Sequence, residues 1–114
     1  MSGRNMTEIT YAERLTRTLS RLGYTHCFLV PGGGIMHLVD AARKNMTVVP
    51  FVHEVSAGIA AEYFTETSST NGGDKAYALV TTGPGATNAL TAIAGAYLES
   101  RELLVVAGQV KSAD

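Results

Sequence analysis

The chain has 114 residues, 46% hydrophobic and 17% charged, with nine Lys and Arg against ten Asp and Glu. That mixture excludes intrinsic disorder and fits one folded domain. A formal charge of −1 leaves no surplus of cations to displace counterions from a nucleic acid or to hold an anionic membrane. No apolar run approaches the roughly 20 residues that span a bilayer, and Met1 to Asn5 is followed by no apolar signal core. A cytoplasmic protein with no nucleic-acid or membrane partner is expected.

Tyr11, Leu15, Leu19 and Leu22 recur at helical spacing, after a cap at Thr7 or Thr10 and before a stop at Gly23. A short apolar strand, His26 to Val30, then runs into Pro31-Gly32-Gly33-Gly34. It contains the single cysteine, Cys27, which has no partner for an internal disulfide and reads as a small buried hydrophobe. A helix over 35–44 follows, then a strand over 48–52 that Pro50 assigns to an edge or an irregular pairing. His53-Glu54 leads into an alanine-rich helix over 55–67, with Val55, Ile59 and Tyr63 spaced along it. The polar run Ser68 to Asp74 predicts a mobile loop. The last elements are a strand over 76–82, the turn Gly83-Pro84-Gly85, a helix over 87–99 with Leu90, Ile93, Ala94 and Tyr97 on one face, and a strand over 103–107. Alternating helices and continuously apolar strands, with no hairpin signal, predict an α/β fold: a parallel sheet with helices on both faces.

Ligands of such sheets bind beyond the carboxyl ends of the strands. Three features fall there: Pro31 to Gly34, His53-Glu54, and Gly83-Pro84-Gly85. They are expected to line one pocket. Five of the twelve glycines belong to these two clusters, and glycine lets a backbone come close to something. Neither cluster completes the dinucleotide fingerprint, because Gly32-Gly33-Gly34-Ile35-Met36-His37 ends in His and Gly83-Pro84-Gly85-Ala86-Thr87-Asn88 ends in Asn. Neither supplies the Lys-Ser/Thr of a phosphate-binding P-loop. No cysteine pair or histidine spacing suggests a metal site, and no Gly-x-Ser-x-Gly is present. Glu54 has two readings. One is a carboxylate that opposes the helix dipole from the first turn, typically worth ~0.3–1 kcal/mol. The other is a carboxyl on the pocket floor, beside Phe51, Val52 and Val55, that holds or shares a proton with a ligand. His53, His26 and His37 read as structural.

Four blocks together resemble the N-terminal pyrimidine-binding domain of thiamine diphosphate enzymes, closest to the acetolactate synthase group. They are Phe28-Leu29-Val30-Pro31-Gly32-Gly33; His53-Glu54 with Ala57, Ala60, Ala61, Glu62 and Tyr63; Leu79 to Asn88; and Ala107-Gly108-Gln109-Val110. The resemblance implies that residues 9–114 are this domain, C-terminally incomplete, behind a flexible segment 1–8. It implies thiamine diphosphate as cofactor and an enzyme that decarboxylates a 2-oxo acid and passes the carbanion to an acceptor. Glu54 matches the glutamate that hydrogen-bonds N1′ of the aminopyrimidine and promotes the imino tautomer that removes the thiazolium C2 proton. Gly32, Gly33 and Gly34 match backbone that approaches cofactor or substrate, Thr82 and Pro84 positions near the pyrimidine, Asn88 a residue holding turn or pocket, and Gln109 a position facing substrate. The family's Mg²⁺ is held by a Gly-Asp-Gly…Asn motif on a separate domain, and Gly73-Asp74-Lys75 does not reproduce it. A diphosphate-binding domain or subunit is therefore an implied partner, in a homodimer or higher assembly. Two readings from other classes stand beside this one: a non-catalytic split subunit that only completes a site with a partner chain, and an unrelated nucleotide-binding sheet.

Overall fold

The computed structural model describes residues 10–32, 35–68, 72–81 and 83–108. Helix α1 (Tyr11–Arg21) starts at Thr10, whose hydroxyl accepts from the Glu13 amide while the Glu13 carboxylate accepts from the Thr10 amide, a reciprocal capping box. Strand β1 (Tyr24–Leu29), helix α2 (Met36–Asn45) and strand β2 (Thr47–Pro50) follow. Then come α3 (Glu54–Ser68), β3 (Lys75–Val80), α4 (Pro84–Leu98) and β4 (Val105–Ala107). Of the expected polar loop, Ser69, Thr70 and Asn71 lie outside the described residues, as does Thr7.

All three strand pairings are parallel, in the order β2-β1-β3-β4. The predicted α/β class is the observed one, and Pro50 ends an edge strand opposite Leu29. From β1 the chain first adds a strand on one side and then crosses back to add two on the other. Crossovers of one hand that reverse direction must lie on opposite faces. Two separate cores follow. Cys27, Leu29, Tyr77 and Leu79 meet Leu19 of α1 and Ala42 of α2, while Phe28, Ala76 and Ala78 meet Ala57 and Ala61 of α3. The alternation of Cys27 and Leu29 with Phe28 is the period of two that a strand buried on both faces requires.

The inward helix faces are built mainly from small residues. In α1 the buried positions are Ala12, Thr16 and Leu19, while Tyr11 and Leu22 are exposed, because Leu22 is already the C-cap. In α3 the buried set is Ala57, Gly58, Ala61, Glu62 and Thr65, leaving Ile59 and Tyr63 open. In α4 it is Gly85, Ala89, Ala92 and Ala96, leaving Leu90, Ile93 and Tyr97 outward. The reason is close approach. A Cβ on Gly58 would stand 2.6 Å from the Cβ of Ala92, so α3 and α4 touch through their smallest residues; Ile59, Tyr63, Leu90, Ile93 and Tyr97 stay outside, while Phe64 packs on the sheet.

Candidate active site

The reversal in strand order leaves a crevice beyond the carboxyl ends of β1 and β3, where folds of this kind bind ligands. Thr81, just after β3, fills it at the level of the glycines. A Cβ on Gly32 would lie 2.8 Å from the Cβ of Thr81, and one on Gly85 would lie 3.0 Å from its Cγ2. Gly32 and Gly85 thus have a packing reason: the loop after β1 and the first turn of α4 close on the same threonine. No signal in the sequence singled out Thr81 within its block. Gly83 serves another need, standing at φ +66° as the N-cap of α4, where a side chain would be strained. Pro84 takes the first helical position, whose amide needs no partner, so α4 begins three residues before the expected 87.

Glu54 is the first residue of α3 and is half-buried. Before it, His53 acts as a cap: its Nδ1 accepts from the Val55 amide at 3.1 Å, and its carbonyl accepts from the Ala57 amide at 3.0 Å. The Glu54 side chain reaches α4. Its Oε1 accepts from Asn88 Nδ2 at 3.1 Å, and its Oε2 lies 3.5 Å from where a Cβ on Gly85 would stand. The carboxylate therefore faces the first turns of two helices, both of which favour negative charge. Asn88 and Pro84 are exposed, so this pair sits at a surface and not in a closed core. Of the expected apolar wall, Phe51 packs against the β1 core and Val55 is half-buried, but Val52 is 97% exposed.

The structure brings Glu54, Gly85 and Asn88 together, and it brings Gly32 to Thr81. Gly32 also lines a cavity of about 290 Å³ on the α2 side, with Leu29, Pro31, Met36, Val39 and Arg43, and Glu54 is not among its lining residues. Gly33, Gly34, Thr82 and Gln109 lie outside the described residues. Cys27 is fully buried as expected, and burial pushes its thiol up to about 11 against the opposing hydrogen bond with Tyr77. No helix among the described residues is long and apolar enough to cross a membrane.

Residues 9–114 match the family model for the N-terminal TPP-binding domain of thiamine pyrophosphate enzymes. The large subunit of acetolactate synthase from Buchnera aphidicola (Acyrthosiphon pisum) is 38% identical over 103 residues, covering 89% of this chain and 17% of that protein. The Lactococcus lactis large subunit is 40% identical over 101 residues, 87% of this chain and 17% of that protein. The large subunit of isozyme 3 from Escherichia coli is 37% identical over 107 residues, 92% of this chain and 18% of that protein. The chain thus spans less than a fifth of the length of these relatives.

Proposed function

The chain belongs to the thiamine pyrophosphate enzymes, matching their N-terminal TPP-binding domain, and from that premise we propose that it holds the aminopyrimidine of thiamine diphosphate against Glu54. The enzyme it serves, in this reading, decarboxylates a 2-oxo acid and transfers the resulting carbanion to an acceptor, as the names of its acetolactate synthase relatives suggest. The observation that carries the reading is the Glu54 carboxyl, beyond the carboxyl ends of the strands, with one oxygen bound by Asn88 and the other beside the bare Cα of Gly85.

These residues suit a flat ring bearing a basic nitrogen. A carboxyl can share a proton with such a nitrogen, and a side chain at position 85 would stand 3.5 Å from Oε2. Bound thiamine diphosphate supplies an acidic C2–H and an electron sink. The chain's own part is to position the ring, to hold a proton at a Glu54 oxygen, and to keep that oxygen fixed through α3 and α4. Among the described residues no cluster of three or more His, Cys, Asp or Glu is placed to share a metal ion, so no step is routed through Mg²⁺ here. We place Mg²⁺ with the diphosphate, in another domain or subunit.

A partner is part of the proposal. Helix α4 carries no charged residue over its 15 positions, and it presents Leu90, Ile93, Tyr97 and Leu98 outward beside Ile59 and Tyr63 of α3. An uncharged helix with a cluster of large apolar side chains outward offers a surface for another to cover. We assign that face to the diphosphate-binding domain or to a second copy, in a cytoplasmic oligomer. No observation favours a non-catalytic assembly module. The test is CO₂ release by the complete enzyme with thiamine diphosphate, Mg²⁺ and a panel of 2-oxo acids including pyruvate. Cofactor-dependent release with at least one of them is expected, and none with any would overturn the reading.

A further inference from the structure

We infer that Asn88 is a positioning residue that biases which oxygen of Glu54 carries the proton. The inference rests on the reading of Glu54 given above and adds a role that neither the motif nor the family match assigns. Its ground is the contact between α3 and α4. Asn88 Nδ2 donates to Glu54 Oε1 at 3.1 Å, and among the described residues this is the hydrogen bond that the Glu54 side chain makes.

An amide nitrogen donates and does not accept. While that bond holds, Oε1 must present a lone pair, whether the carboxyl is ionised or neutral. A neutral carboxyl has one carbonyl oxygen and one hydroxyl oxygen; both carry lone pairs, but the carbonyl is the stronger acceptor, so the bond favours the proton on Oε2. Oε2 is the oxygen beside Gly85, 3.5 Å from where a Cβ on that residue would stand. Asn88 therefore does two things at once. It holds the carboxyl against rotation, and it leaves the favoured proton-bearing oxygen on the side of Gly85. A ligand proton can then pass to and from one fixed atom, without a turn of the carboxyl between events.

The groups around Glu54 keep this simple. Helix α4 brings no charged side chain, and the ends of β1 and β3 bring Leu29, Val30, Val80 and Thr81. Just before α3 the titratable neighbour is His53, whose Nδ1 is engaged by the Val55 amide, while Glu62 and Glu66 lie two turns and more along the helix. His53 is thus the one group that must be controlled for.

The test is a ¹³C titration of the Glu54 side-chain carboxyl in the cofactor-free complete enzyme, on a His53→Gln background. Asn88→Ala removes a donor that favours the ionised form, and the midpoint is expected to rise by about half a pH unit or more. Asn88→Asp sets a second carboxylate against the first, and two like charges in contact resist joint ionisation, so the midpoint is expected to rise further and the curve to broaden into two steps. Asn88→Ser, which retains a donor, is expected to fall between Asn88→Ala and the parent. In the complete enzyme the acid limb of the kcat profile moves in the same order. A residue that merely filled space would lower stability without reordering these midpoints. Midpoints of all three variants within about 0.1 unit of the parent, with the fold intact by circular dichroism, would overturn the inference. The two claims fail differently. If Glu54→Gln leaves cofactor activation intact, the reading of Glu54 is lost. If Glu54→Gln abolishes activation while the Asn88 variants leave the titration unmoved, only the role of Asn88 is lost.

Discussion

The two helix layers cover the same sheet and end differently at their outer surfaces. The α1/α2 layer buries Ala12, Thr16, Leu19, Ala41 and Ala42 and turns Arg14, Arg17, Arg21, Arg43 and Lys44 outward, with Lys44 paired to Glu13 at 3.0 Å. The α3/α4 layer buries a comparable set of small residues but turns aromatic and aliphatic side chains outward, Tyr97 at 81% and Leu98 at 80% exposure. One layer is largely charged on its outer surface, with Tyr11, Leu22 and Met36 exposed only at the helix ends. The other leaves large apolar side chains exposed, and both of its helices begin near the Glu54–Asn88 contact. The difference teaches that site and uncovered face are two ends of one construction: the residues small enough to bring α3 against α4 also bring Glu54 to Asn88.

Substitutions can break that contrast, and the largest effect is expected at the outer face of α4. Tyr97→Glu with Ile93→Glu should weaken assembly of the complete enzyme by more than about 100-fold, as loss of buried aromatic anchors does. Arg14→Glu with Arg17→Glu on α1 should leave it unchanged; sedimentation velocity separates the two. Next comes Gly58→Val, which places methyl groups where the Ala92 Cβ already stands 2.6 Å from an added Cβ. Overpacking of this kind costs about 1–3 kcal/mol in denaturant unfolding, and it should also loosen the Glu54–Asn88 pair. In the α1/α2 layer, Thr10→Ala removes one capping acceptor and should cost about 1 kcal/mol, with no effect on Glu54. The smallest expected change is Gly95→Ala in α4. An added Cβ there meets nothing within 4 Å, and the isolated chain should gain up to about 1 kcal/mol from helix propensity.

The core between the sheet and the α1/α2 layer adds a pH signature. Burial raises Cys27 to about 11, and it raises Tyr77 as well, with the neighbouring thiol adding to the effect. Groups whose values rise on folding bind protons more tightly in the native state. Their contribution is complete below the unfolded value and is lost as pH rises through the folded one. Stability should therefore be flat near neutrality and decline from about pH 9 through 11, and the native thiol should resist labelling at pH 8 until the chain is unfolded.

The sheet was readable because its strands are short apolar runs ended by Gly and Pro, and the alternation of Cys27, Phe28 and Leu29 between two cores needs both faces covered. The helix faces of α3 and α4 were not. Spacing finds the large apolar residues, and in α4 these do not mark the inward face; Ala89, Ala92 and Ala96 do. Glu54 was legible as an acid at a strand-to-helix junction, and Asn88 as part of a block with Gly83 and Gly85. Their hydrogen bond was not, because 34 positions separate them and only the close packing of Gly58 on Ala92 brings them together. Thr81, wedged between Gly32 and Gly85, was hidden for the same reason.

The central claim is that Glu54 holds the proton through which the bound cofactor is activated, and the exchange of its C2 hydrogen for deuterium, followed by NMR after acid quench, tests it most directly. In the complete enzyme loaded with thiamine diphosphate, Glu54→Gln should slow that exchange by about 100-fold or more, the typical contribution of a positioned general acid–base. The same exchange rate in Glu54→Gln and in the parent, with cofactor bound equally in both, would contradict the account.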